Sequence, residues 1–439
     1  RNVLVRLCDI ECSFLHPIEG TPQNAKFLTD LVEWSRIAPG NLFLWDYVTS
    51  FSSYILPHPN LRVLAPNVRT FVKHGAIGLF EQGDALCRAG DFVRLRQWVL
   101  AHLLWNPDLD ADALTDTFLA GYYGPRTGAA LRRYLDFLHD RAARADVYLG
   151  CYQNNVTHWL DAEGILEALR LMDAALAEAK AEEQADPVGR KGLADKIRRE
   201  KLPMDHVVIL NRPLLQRHAK ATGKPFPVTA DPLAAVEAWI AACERFGVKA
   251  HRETTTADTF IDYKKSLLER ARMASQKVSP PPCCATLPPA SWHDVQEFEF
   301  DQRPAGQVAF VEDKAASNKM AAQMPGNHKI WAVQFPLMSF IPLSGTASGT
   351  PRCTLHVYAR ADATATEGNG LALGVYDFTA RKTVAHQWIP LSELTGPGYK
   401  MFKFGPLPIT EGCKFWANPP ERTGEVQHVY VDRVVVVVE

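Results

Sequence analysis

No stretch of this 439-residue chain stays apolar for long. Its uninterrupted apolar runs, Val434 to Val438 among them, fall far short of the roughly 18 residues that a membrane-spanning helix requires. The chain also lacks an excess of either charge. Lys and Arg number 48 against 49 Asp and Glu, a formal net charge of -1, so the basic face that would hold a nucleic acid or an anionic membrane surface is missing. Metal-ligand spacing is absent as well. The nine cysteines include no CxxC paired with a second CxxC or with spaced histidines, which argues against zinc and for buried free thiols. Spacing leaves a bridge such as Cys353 to Cys413 open. No phosphate-binding loop, dinucleotide fingerprint, nucleophile elbow or zincin helix appears, so the expectation is a protein without cofactor or metal.

What is present is ordinary globular text, 47% hydrophobic and 22% charged, long enough for about three domains at roughly 150 residues each. Arg1 is not a start methionine, and Asn2 to Leu7 reads at once as a buried strand with no signal peptide before it. The chain is therefore expected to begin inside a domain.

The first hundred residues repeat one pattern: an apolar run closed by an acidic residue, a loop rich in Pro, Gly and Asn, then a helix. The runs are Val3 to Glu11, Asn41 to Tyr47 and Ala76 to Gly83. Helices are predicted near Asn24 to Ile37, ending at His74-Gly75, and from Asp91 to Trp105. From Glu11 to Asp46, and again from Asp46 to Glu81, is 35 positions, close to one βα unit of a (β/α)8 barrel of about 250 residues. Near-continuous apolar strands fit a parallel sheet covered on both faces. Residues 1–126 thus read as the C-terminal three βα units of a TIM barrel, α/β in class, with about five units expected before Arg1. Residues 127–278 read as an all-α region, with helices over Ala129 to Ala145, Ala162 to Gln184, Leu193 to Arg217 and Pro232 to Phe246 interrupted at Gly189, Pro203 and Pro225. Pro-rich Ser279 to Cys284, a linker or a domain-edge strand, opens residues 279–439, where short alternating strands such as Thr354 to Tyr358 predict an all-β antiparallel sandwich.

In a parallel barrel, side chains closing the strands surround the active site. Asp9 and Glu11 close the first run, Asp46 the second and Glu81-Gln82 the third. Asp9 and Glu11 lie two apart and are expected on one face, with Asp46 on the neighbouring strand about 4.8 Å away. Clustered carboxylates suit glycosidic-bond cleavage, which needs one protonated carboxyl to donate to the leaving oxygen and one ionised carboxylate to attack or to activate water. Asp9, Glu11, Asp46 and Glu81 are the candidate catalytic residues. Trp45, Tyr47, His58, Asn60, Gln82 and Trp159 are candidates for substrate binding, the aromatics by offering flat faces to sugar rings. In the β region Trp331, Trp388, Trp416 and Tyr399 are the aromatics that a sugar-binding face would use, or else core residues.

Several of these segments together carry a resemblance. Cys8-Asp9-Ile10-Glu11-Cys12-Ser13-Phe14, Trp45-Asp46-Tyr47, Pro57-His58-Pro59-Asn60, Gly78-Leu79-Phe80-Glu81-Gln82-Gly83, Leu104-Trp105-Asn106-Pro107 and Tyr122-Tyr123-Gly124 resemble the bacterial family called domain of unknown function 4838. The resemblance implies a glycoside hydrolase-like barrel similar to those of α-glucuronidases and hexosaminidases, a carbohydrate substrate, and an exported, extracellular or periplasmic protein. It also implies that the general acid of the related hydrolases, from the fourth strand, lies outside this chain, which leaves the fragment's own activity open. The alternative is a non-catalytic carbohydrate-binding protein.

Overall fold

The computed structural model describes residues 3–224, 226, 231–254, 257–276, 278–301, 306–337, 350–410 and 412–439. It mixes helices with three separate sheets, and no closed barrel forms among the described residues. The chain divides into two compact units, one of residues 1–211 with 234–268, the other of residues 212–233 with 269–439.

The first unit opens with three βα repeats. Strands β1 (Val5–Cys8), β2 (Leu42–Tyr47) and β3 (Ala76–Gln82) pair in parallel in that order. They alternate with helices α1 (Ala25–Ile37), α2 (Leu61–Lys73) and α3 (Val93–Trp105). Parallel neighbours need such crossovers, because a tight turn cannot return the chain in the same direction. Gly75, at φ +78, ends α2 where an L side chain would be strained. The expected strand start at Asn2 lies outside the described residues, and Val3 and Leu4 are exposed ahead of β1.

Helices α4 (Ala111–Tyr123), α5 (Pro125–Ala145), α6 (Ala162–Ala185) and α7 (Leu193–Leu210) follow. The α4 helix is absent from the sequence reading, although Asp110 caps it by accepting from Asp112 N and Ala113 N. The N-terminus of α5 is closed from α6: the Glu182 carboxylate accepts from Arg126 N, Thr127 N and Thr127 Oγ1, and its charge suits the positive end of the helix. Pro203 does not interrupt its helix as expected; it sits within α7, and the break falls at Asn211, before α8 (Arg212–Thr222). Helices α9 (Pro232–Arg245) and α10 (Ala257–Ala274) come next.

The second unit holds two antiparallel sheets. One runs β10 (Lys382–Pro390), β9 (Asn369–Asp377), β12 (Cys413–Asn418), β7 (Val333–Pro336). The other runs β11 (Lys400–Pro408), β8 (Arg352–Ala363), β13 (Val426–Val438), β6 (Met320–Pro325), β5 (Ala309–Glu312), with β4 (Trp292–Gln296) also paired to β13. Alternate residues of both sheets, among them Leu355, Val357 and Val434 from one and Leu373, Val375 and Phe415 from the other, form a single apolar core, as the two-residue strand period dictates. All nine cysteines are free, Cys353 and Cys413 included.

Candidate functional site

The strand register assembles the acids. Trp45 pairs with Phe80, Asp46 with Glu81 and Tyr47 with Gln82 across β2 and β3. Cys8 pairs with Trp45 across β1 and β2, and Asp9 continues the ladder by donating its N–H to the Trp45 carbonyl at 3.3 Å. In parallel strands paired residues share a face, so Asp9, Asp46 and Glu81 form one row on the face that carries Leu42 and Leu44, each 1% exposed. Asp9 and Asp46 are buried, and Glu81 is half-buried with its carboxyl oxygens covered; the charge of Asp46 acts on both of its neighbours. Tyr47 N donates to Asp46 Oδ1 at 2.6 Å. No N–H or O–H donor outside the row reaches the carboxyl oxygens of Asp9 or Glu81 among the described residues.

Three contacting carboxyls cannot all ionise in a dry site. Burial, first, and the charge of Asp46, second, hold Asp9 and Glu81 well above their ordinary carboxyl range. Burial also raises Asp46, though its hydrogen bonds to Asp9, to Glu81 and from Tyr47 N oppose the rise. The row therefore holds its protons to higher pH than free carboxyls would.

Glu11 stands apart. The strand stops at Cys8, and a turn closed by Cys12 N donating to the Asp9 carbonyl at 2.8 Å takes over. The two-residue alternation that placed Glu11 beside Asp9 ends with the strand, and Glu11 is exposed, its carbonyl accepting from Tyr148 Oη.

On the opposite face Phe43, Trp45, Phe80 and Gln82 align. Arg6 covers the Phe43 and Trp45 rings at 5.5 and 5.1 Å, and Trp45 meets Phe80 edge-on at 4.8 Å. Trp45 Nε1 donates to Gln82 Oε1 at 2.7 Å, and Gln82 Nε2 donates to Glu253 Oε1 at 3.0 Å. Tyr47, nearly buried, meets Phe14 and Phe51 edge-on.

His58 and Asn60 are interior residues. Asn60 Nδ2 donates to the Val48 carbonyl at 3.1 Å and its Oδ1 accepts from Arg96 Nε at 2.9 Å. The His58 N–H donates to Asp91 at 3.0 Å, while neither ring nitrogen has a partner among the described residues. Burial, with Arg96 adding to it, pushes His58 down to about 3, so its ring is neutral. Trp159 is buried in the turn before α6, where its N–H donates to the Val156 carbonyl at 3.0 Å.

A cavity of about 460 Å³ opens at the end of β3. Of the residues singled out from sequence, Glu81 and Gln82 line it; Phe80, Asp84, Arg96 and Glu253 join them. Glu253 comes from the connection between α9 and α10, far away in sequence. It is brought there by backbone pairing, its N–H donating to the Phe51 carbonyl at 2.9 Å and Tyr54 N donating to the His251 carbonyl at 2.7 Å. No local pattern around Glu253 marks it. Asp84, one residue past Gly83, was recoverable as the next acid after the strand. Among the described residues no group of three or more His, Cys, Asp or Glu side chains is arranged to hold a metal ion, and no helix is long and apolar enough to cross a membrane.

Residues 1–136 match the family model described as Domain of unknown function (DUF4838). No curated protein matches the chain. Among solved structures it is similar to a family GH115 4-O-methyl-α-glucuronidase with specificity for decorated arabinogalactans, at 12% identity and TM-score 0.34 over 99% of this chain and 54% of that one. It is also similar to a GH138 enzyme targeting pectin rhamnogalacturonan II, at 10% identity and TM-score 0.31 over 100% of this chain and 60% of that one. A third likeness is to the CBM22-1 xylan-binding domain of Paenibacillus barcinonensis Xyn10C, at 9% identity and TM-score 0.24 over 34% of this chain and 92% of that one. The chain spans about half the length of the glucuronidase. The DUF4838 match contains all three βα repeats and the whole carboxyl row.

Proposed function

We propose that this chain is carbohydrate-active and glycoside hydrolase-like, its DUF4838 segment supplying barrel-type βα units and its second unit a sandwich of the carbohydrate-binding kind. The observation that carries the reading is the proton-sharing row Asp9, Asp46 and Glu81 ending on a cavity through Glu81. A carboxyl that keeps its proton at neutral pH can donate it to a leaving glycosidic oxygen. Glu81 is the member placed to do so, and Asp46 behind it receives or returns the proton. Phe80 offers an apolar ring to the C–H face of a sugar, and the Gln82 amide, fixed between Trp45 and Glu253, offers hydrogen bonds to hydroxyls. Export is part of the proposal, as the family resemblance implies.

Burial of Asp9 and Asp46 favours a second reading, in which the row only stiffens the strand ends and the cavity binds sugar without cleaving it. A glycan panel separates the two. Release of reducing ends by the wild type, lowered about 100-fold or more in Glu81→Gln, supports hydrolysis. Binding with no turnover supports the second reading, and no response to any glycan sinks both.

A further inference from the structure

The cavity at the end of β3 is unequal in charge. Three carboxyl side chains line it, Glu81, Asp84 and Glu253, against one guanidinium, Arg96. That guanidinium is committed inside the protein. Its Nε donates to Asn60 at 2.9 Å, Nη1 to the Asp91 carbonyl at 2.7 Å, and Nη2 to the His58 carbonyl at 3.1 Å and the Asp91 carboxylate at 3.2 Å. It lines the cavity at only 4% exposed, and Asp91 already balances its charge.

The acids are not balanced in this way. Glu253 is exposed, with one oxygen held by Gln82. Asp84 accepts from Leu86 N and Cys87 N through Oδ1, while Oδ2 is buried and has no donor among the described residues. Burial pushes Asp84 up to about 6, so it is largely ionised at neutral pH. Burial and the charge of Asp46 hold Glu81 well above its ordinary range, which lessens its charge there.

A carboxylate-bearing ligand would meet like charges in a partly dry site whose one lining cation is already paired, whereas an ammonium would be drawn in and desolvated at lower cost. Resting on the carbohydrate reading above, we infer that this cavity selects a sugar unit bearing a free amine and rejects uronate units, with Glu253 as the residue that sets the preference. Rejection through like charge is specificity by repulsion as much as by attraction.

The test is calorimetry on the full chain with oligosaccharides of matched length built from glucosamine, N-acetylglucosamine or galacturonic acid, at pH 7 and at low and high salt. The free-amine oligomer is expected to bind about tenfold more tightly than its acetylated counterpart, the scale of one partly solvated ion pair, with the uronate weakest. Salt should shrink the preference. Glu253→Gln, which keeps an acceptor for Gln82 at an exposed position, should bring the ratio near unity. Uronate binding as tight as that of the amine, or a ratio unchanged in Glu253→Gln, overturns the inference. Oligomers bound without regard to charge overturn it while leaving the carbohydrate reading in place; no binding of these or of neutral glycans overturns that reading and this inference with it.

Discussion

Asp46 and Glu81 occupy paired positions on adjacent parallel strands, and the charge of Asp46 acts directly on the Glu81 carboxyl. Two such carboxyls repel once both are ionised, so the charge on Asp46 makes Glu81 hold its proton more firmly. Asp9 joins from the end of β1 through Asp46, and the three titrate as one unit with shared apparent values.

Stability should carry the signature of that unit. Acids whose protons are held in the folded state and released in the unfolded one make the folded chain the better proton binder. Unfolding free energy then falls as pH rises from about 4, the ordinary carboxyl range, toward the raised values of the row. Glu81→Gln removes one titrating group while keeping the shape. Chemical denaturation should find the variant more stable than the wild type by ~1–3 kcal/mol at pH 8 and nearly equal to it at pH 4. A difference of the same size at both pH values would show that Glu81 is not held protonated.

Arg96 is predicted to be worth more to the fold than any acid in the row. It and Asp91 are both buried at 3.2 Å, and the same guanidinium ties down Asn60 and the His58 carbonyl. Arg96→Met leaves Asp91 as an uncompensated buried charge, a loss of about 3–5 kcal/mol. Urea denaturation of the single variant and of Arg96→Met with Asp91→Asn checks this: the double variant should recover part of the loss, because no lone charge remains.

His58 titrates in the opposite sense from the row. Its folded value is lowered to about 3 from an ordinary 6.5 by burial and Arg96, and that of His139 to about 4. The unfolded chain therefore takes up these protons first, and the stability present above pH 6.5 is lost as pH falls toward 4. In His58→Gln the slope between pH 4 and 6.5 should flatten by ~2–4 kcal/mol in total. Imidazole resonances of His58 followed by NMR should not move between pH 5 and 8, and a midpoint in that range would contradict its burial.

The legible part of this molecule was what local spacing controls. Parallel βα repeats put equivalent positions side by side, so Asp9, Asp46 and Glu81 could be read as neighbours from three runs of text. Glu11 was misplaced because alternation holds only while a strand lasts, and the Asp9–Cys12 turn ends it. Glu253 was invisible because a hydrogen bond across 171 positions brings it to Gln82. Among the strands, β8 stood out through apolar alternation and β13 through its run of valines, whereas β5, β6, β10 and β12 were missed; each is short or exposes polar residues and is specified by its partners rather than by its own composition.

Gly374 offers the sharpest test of the second unit. A Cβ there would lie 2.1 Å from Trp416 Cζ2 and 2.3 Å from Cε2, so the indole lies across the bare backbone of β9. It is held in a stack, 4.9 Å from Trp331 at 7° and 5.5 Å from His386 at 27°. A methyl group cannot enter without lifting the ring out of that stack. Gly374→Ala should therefore cost ~1–3 kcal/mol and weaken the near-ultraviolet circular dichroism of the paired indoles. If displacement of Trp416 is the cause, Trp416→Leu should already have removed most of what the methyl disturbs. The double variant should then lose less stability than the sum of the two singles, by ~0.5–3 kcal/mol as for residues in contact; strict additivity would assign the cost to the β9 backbone and not to the ring.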